Sequence, residues 1–135
     1  MQKLILLAVL FCLASTGYQL QAQSISNKSW KTYIDSPIND TAFFNIYEDS
    51  SSITNAQGQV MVRHRCKITG DTLTIEDFGF EEQGCSGVKG SYKINLAANA
   101  FTLALINDEC AGRAQALVGR KWIEVKKTDK AAPVK

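Results

Sequence analysis

A single histidine, His64, and only two prolines are spread over 135 residues, and one of the prolines, Pro133, lies in the C-terminal tail. One histidine cannot assemble a histidine-based metal centre, and no Cys/His spacing suits zinc. Neither a metal nor another cofactor is therefore expected. The chain also lacks an internal repeat, a convincing run of helical periodicity, and a basic stripe interleaved with aromatics. Without that stripe, nucleic acid is not an expected partner. Charge is nearly balanced, with 15 Lys and Arg against 13 Asp and Glu. No serine or cysteine nucleophile stands in a recognisable context. Gly84-Cys85-Ser86-Gly87 is too short and wrongly placed for a phosphate-cradling loop, which leads from a strand into a helix. With no catalytic constellation legible, the chain reads as a non-enzymatic protein.

Long apolar runs are missing as well. Lys3 precedes an apolar stretch over residues 4–13, and Gln21-Ala22-Gln23 offers a small residue at a cleavage point. That is the order of a signal peptide, and the stretch falls short of the roughly 20 apolar residues a membrane span requires. Residues 1–22 are expected to be removed on export to the periplasm or medium, leaving no transmembrane anchor. Val9-Leu10-Phe11 ahead of Cys12 lacks the small residue that lipid attachment requires. Residues 23–126 then form one domain, and the polar segment 127–135 a solvated, disordered tail.

What is present is alternation. Val60, Val62, His64, Cys66 and Ile68 interleave with Met61, Arg63, Arg65 and Lys67, the two-residue period of a half-buried strand. Thr69-Gly70-Asp71 supplies a turn, after which Leu73 and Ile75 resume the apolar face. Tyr92, Ile94 and Leu96 continue it, and Phe101, Leu103 and Leu105 repeat it. Further strands are expected at 30–34, 43–47 and 116–125. The tract Asp49-Ser50-Ser51-Ser52 and residues 55–58 read as loops, with Ile53 marking a short strand between them; a turn of helix over 111–117 is the remaining exception. Seven or eight short antiparallel strands in sequence order leave exposed edges unless they close, so an all-β, up-and-down barrel is the simplest architecture. A β-sandwich is the alternative.

After signal cleavage the cysteines are Cys66, Cys85 and Cys110, so one intramolecular bridge can form. Extending the register of the hairpin between 91–96 and 101–106 past its open end brings Cys85 close to Cys110. A Cys85–Cys110 disulfide is predicted, in keeping with an oxidising compartment. Cys66 is left as a buried free thiol.

Asp108 and Arg113 flank Cys110 across Gly112, and the structural reading is preferred: an ion pair, or carboxylate-to-amide bonds, holding this turn at a barrel end. That reading leaves the lumen and the opposite loops for function. His64 faces inward as a hydrogen-bonded core or pocket residue and is the best polar handle for a ligand. Asp77, Glu81 and Glu82 match no calcium motif and read as a solvated hairpin loop. Trp30 and Trp122 are expected to meet where first and last strands close, with Arg113 or Arg120 over an indole face.

Trp30-Lys31, Gly90-x-Tyr92, Leu103-x-Leu105 leading into Asp108-x-Cys110-x-x-Arg113, and Leu117 with Trp122 together resemble the lipocalin-like (calycin) class of exported bacterial β-barrel proteins. The resemblance implies an up-and-down barrel that binds a small lipophilic molecule. Val62, His64, Cys66, Leu73, Ile75, Tyr92, Ile94, Leu103 and Leu105 would then line the interior. The competing expectation is a protein-interaction or inhibitor module whose barrel is a solid scaffold. Its polar loops, 48–58 and 79–89, would meet an envelope or extracellular protein.

Overall fold

The computed structural model describes residues 24–36, 38–79 and 85–126. The expected signal peptide, the tail 127–135, and Glu81 and Glu82 lie outside the described residues. Eight strands follow one another: β1 (Lys28–Ile34), β2 (Asp40–Ile46), β3 (Ser50–Thr54), β4 (Val60–Thr69), β5 (Thr72–Phe78), β6 (Lys89–Ala97), β7 (Ala100–Asp108) and β8 (Trp122–Glu124). A short helix, α1 (Ala111–Leu117), is inserted before the last. Each strand pairs antiparallel with its sequence neighbours, and β8 returns to β1, so the sheet closes as an up-and-down barrel. Closure removes the free edges that a sandwich would keep. No helix among the described residues is long and apolar enough to cross a membrane.

Local chemistry explains most of the path. Thr69 pairs with Thr72, leaving a two-residue turn whose first central position is Gly70, at φ 60°. A type II′ hairpin places glycine there because that backbone region is unfavourable to other residues. The serine tract expected as a loop is instead strand β3. Ser51 and Ile53 point inward and are buried, so the two-residue period holds although serine supplies one of its inward positions.

The expected strand over 116–125 is also corrected. Its first residues complete α1, and only Trp122–Glu124 pairs as a strand. Where β8 is too short to cover β7, Val118 bridges Leu103, and the Gly119 amide donates to the Leu103 carbonyl at 3.1 Å.

An aromatic cluster fills the barrel beside its closure. Trp30 meets Phe101 edge-on at 4.9 Å, while Trp122 packs on Phe44 at 5.2 Å and stacks on Phe101 at 6.3 Å. The two tryptophans are thus joined through Phe101. Among the described residues no arginine covers an indole: Lys28 Nζ lies 5.5 Å from the Trp30 ring, Arg113 is bonded to carboxylates, and Arg120 donates to the Tyr33 carbonyl. Ile25 is buried under this layer, and its carbonyl accepts the Trp30 indole N–H at 3.0 Å.

Leu105 departs from expectation. It pairs with Tyr92, but the next pair is Asn107 with Ser91, so Ile106 is an extra residue in β7. Such a bulge breaks strict alternation, and Leu105 and Ile106 are both exposed, at 50% and 55%.

Candidate functional site

The middle of the barrel is filled, and one end opens as a cup. Leu73, Ile75, Tyr92 and Leu103, which the alternation placed inside, are fully buried in the packed core, with Cys66 among them and Ile94 against them. None of these six lines the cup, which corrects that part of the expected lining: the first four and Cys66 are filled core, and Ile94 borders a smaller depression at the other end. Small barrels close their lumen in this way with side chains. Above them opens a cleft of about 730 Å³, reached by Val62 and His64 of the expected set. Its apolar wall includes Ile34, Ile38, Ile53, Ala116 and Leu117, and its polar groups include Asp77 and Arg113. At the opposite end lies a smaller depression of about 330 Å³ beside Ile25, Gly70 and Asp71.

The Asp108–Arg113 turn belongs to the cup rather than to the end away from it. The Cys110 amide donates to Asp108 Oδ1 at 2.8 Å, a local side-chain turn that aspartate favours. Cys110 is bonded to Cys85 as the hairpin register predicts, with the two Cα atoms 5.8 Å apart. The bridge holds the start of α1 against the segment after β5. Both cysteines, with Gly112 and Arg113, form part of the cup's surface.

Arg113 is the organising cation. Its Nε and Nη2 donate to the two oxygens of Asp108, each at 2.7 Å, and Nη2 also donates to the Val88 carbonyl at 2.9 Å. Nη1 donates to Asp77 Oδ1 at 2.7 Å. The paired contact with Asp108 uses the planar fork that distinguishes arginine from lysine. Tyr92 donates its hydroxyl to Asp108 Oδ2.

Burial opposes ionisation of Asp108, but the bonds from Arg113, Tyr92 and the Cys110 amide outweigh it and lower its pKa. Burial likewise works against the Arg113 charge and is overcome by Asp108 and Asp77, so that guanidinium stays protonated. The Tyr92 hydroxyl is held neutral, its pKa raised by burial and by the Asp108 carboxylate.

Asp77 is not the solvated loop residue that its spacing suggested. It ends the inward series Leu73, Ile75, Asp77 on β5, and it faces His64 across the β4–β5 ladder. His64 Nε2 lies 3.5 Å from Asp77 Oδ1, and His64 Nδ1 lies 3.0 Å from Ser51 Oγ. Ser51, His64 and Asp77 are therefore successive cross-strand neighbours on β3, β4 and β5. Burial, with the Arg113 charge adding to it, lowers the His64 pKa to about 4. The imidazole is neutral near neutral pH.

The order serine, histidine, aspartate is shared with hydrolytic triads. Here Ser51 is only 3% exposed and contributes nothing to the cup surface. Ser51 also hydrogen-bonds the Cys66 thiol, whose pKa is pushed up chiefly by burial. The whole set is a satisfied buried polar network, as interior polar groups require.

Ser51 and Asp77 are the partners of His64 that the sequence does not make plain. The signal for Asp77 was its place two residues after Ile75 on one strand face. For Ser51 it was an inward histidine in need of a partner on the adjoining strand.

The class that these observations define is a closed, eight-stranded, antiparallel up-and-down β-barrel with a filled middle and a cup at one end. That architecture is compatible with a calycin-like barrel. Comparison with protein-family models, curated proteins and solved structures finds no match to this chain.

Proposed function

We propose that this protein is an exported, lipocalin-like barrel that binds a small lipophilic ligand in the cup at the open end. The observation that carries the reading is the cup itself: about 730 Å³, walled largely by apolar side chains, with His64, Asp77 and Arg113 among its polar groups. Ligand sites commonly fall between about 300 and 1,000 Å³ and share this apolar lining with few orienting groups. Removal of apolar ligand surface from water supplies about 25 cal/mol per Å². Export is supported by the signal-peptide pattern in residues 1–22 and by the Cys85–Cys110 bridge. Binding is favoured over catalysis because Ser51, the hydroxyl beside His64, is buried and lies off the cup surface.

The test is fluorescence of Nile red, an uncharged lipophilic dye, titrated with the purified protein. Saturable enhancement is expected, and Val62→Trp, which places an indole in the cup, should weaken it about tenfold or more. Native mass spectrometry of freshly purified protein should show a bound small molecule. A protein that neither enhances the dye nor carries a molecule through purification is a scaffold, and the reading fails.

A further inference from the structure

The head group that this cup accepts is set by an imbalance of charge at its polar side. Asp77 and Arg113 are the charged residues that line it among the described residues. Arg113 is shared: two of its nitrogens serve Asp108, one serves Asp77, and a backbone carbonyl takes a further bond. Two carboxylates thus divide one guanidinium, and the three-residue cluster carries a net charge of about −1 with both carboxylates ionised. The imidazole beside Asp77 supplies no compensating charge near neutral pH.

The uncompensated charge is unevenly placed. The Asp108 side chain is 0% exposed and has its own guanidinium fork and the Tyr92 hydroxyl, whereas Asp77 keeps 17% exposure. Asp77 receives one guanidinium bond, and the neutral imidazole lies 3.5 Å away. A partly desolvated carboxylate of this kind favours a nearby cation and disfavours another anion.

Building on the reading of the cup as a ligand site, we propose that its ligand is an amphiphile with a protonated amine head, placed against Asp77, and an apolar tail along Ile34, Ile53, Val62 and Leu117. An alkyl carboxylate would bring a second negative charge to a group that is already under-compensated. A ligand of that kind is selected against. Arg113 offers such a head little, because Nε, both Nη2 donors and one Nη1 donor are directed to Asp108, Asp77 and Val88.

The experiment is displacement of Nile red from the wild-type protein at neutral pH by decylammonium, decanol and decanoate, each below its micellar concentration. The three probes share one tail, so their ranking isolates the head. Decylammonium is expected to displace the dye at a concentration about tenfold or more below that needed for decanoate, with decanol between them. Asp77→Asn should bring the ammonium-to-carboxylate ratio close to one, and the wild-type ranking stands by itself where that variant does not fold. Equal potency of the three, or a preference for decanoate, overturns the inference while leaving the cup as a lipophilic site. Failure of Nile red to bind overturns the site and the head-group assignment together.

Discussion

Gly90 on β6 stands opposite Asp108 on β7, and the Asp108 carboxylate occupies the space that a side chain at position 90 would need. A Cβ built on Gly90 lies 2.6 Å from Asp108 Cγ and 3.1 Å from Arg113 Nη2. The requirement is close approach rather than backbone conformation, because Gly90 is not among the positive-φ glycines. Gly90→Ala must therefore displace the carboxylate that Arg113 and Tyr92 share. The expected cost is about 1–3 kcal/mol, typical of overpacking, read as a lower urea midpoint. An alanine variant as stable as the wild type would show that this network yields easily.

Reducing the Cys85–Cys110 bridge should destabilise the barrel and loosen the cup together. The sequence separation is 25 residues, and closing a loop of that size is worth about 3.5 kcal/mol on the chain-entropy model. The paired variant Cys85→Ser with Cys110→Ser should show that loss in chemical denaturation. It should also bind Nile red more weakly, because Cys110 fixes the start of α1 and both cysteines contribute to the cup surface. Dye affinity that survives intact in a destabilised double variant would confine the bridge to the fold.

Much of the barrel was readable from alternation and turn chemistry, because a two-residue period and Gly70 act within a few residues of sequence. The Cys85–Cys110 pairing was readable because antiparallel register extends along a hairpin. What is not legible depends on neighbours distant in sequence. Ser51 reads as loop chemistry until His64 on the adjoining strand gives its hydroxyl a partner. Asp77 reads as solvent-facing until Arg113, 36 residues later, bonds to it. Leu105 was misplaced because one extra residue in β7 ends the alternation, and nothing local in the sequence announces a bulge. The split between filled middle and open cup follows from side-chain volumes meeting across eight strands, which no single strand encodes.

Cys66 is expected to be inert in the folded protein. It is 8% exposed, and burial, with the Asp49 charge adding to it, pushes its pKa up against the Ser51 hydrogen bond, which favours the thiolate. Thiolate is the reactive form, so both access and ionisation are suppressed. Iodoacetamide labelling followed by mass spectrometry should modify Cys66 about ten times faster or more in denaturant than under native conditions. Comparable rates in the two states would mean that β4 opens readily around this residue.

Stability should fall as pH drops from about 6.5 towards 4, and His64 should be the main cause. Its folded pKa of about 4 lies below the unfolded value of 6.5, so between these limits the unfolded chain binds more protons than the folded one. Stability rises with pH wherever that holds, which makes the His64 contribution complete above the unfolded pKa and lost through the window below it. A shift of that size corresponds to about 3 kcal/mol at 1.36 kcal/mol per unit. The charged groups facing the imidazole are Asp77 and Arg113, with Ser51 on its other side. Asp77 works in the opposite sense: burial, resisted by Arg113, raises its pKa, so the folded state takes up that proton first and part of the loss is offset near the lower limit. Asp108, lowered by its bonds, adds a further loss only as pH falls through the ordinary carboxylate value of 3.8. Urea denaturation across this range should show the fall in the wild type, and His64→Gln should flatten the slope between 6.5 and 4 whatever its absolute stability. An unchanged slope in that variant would assign the dependence to the carboxylates instead.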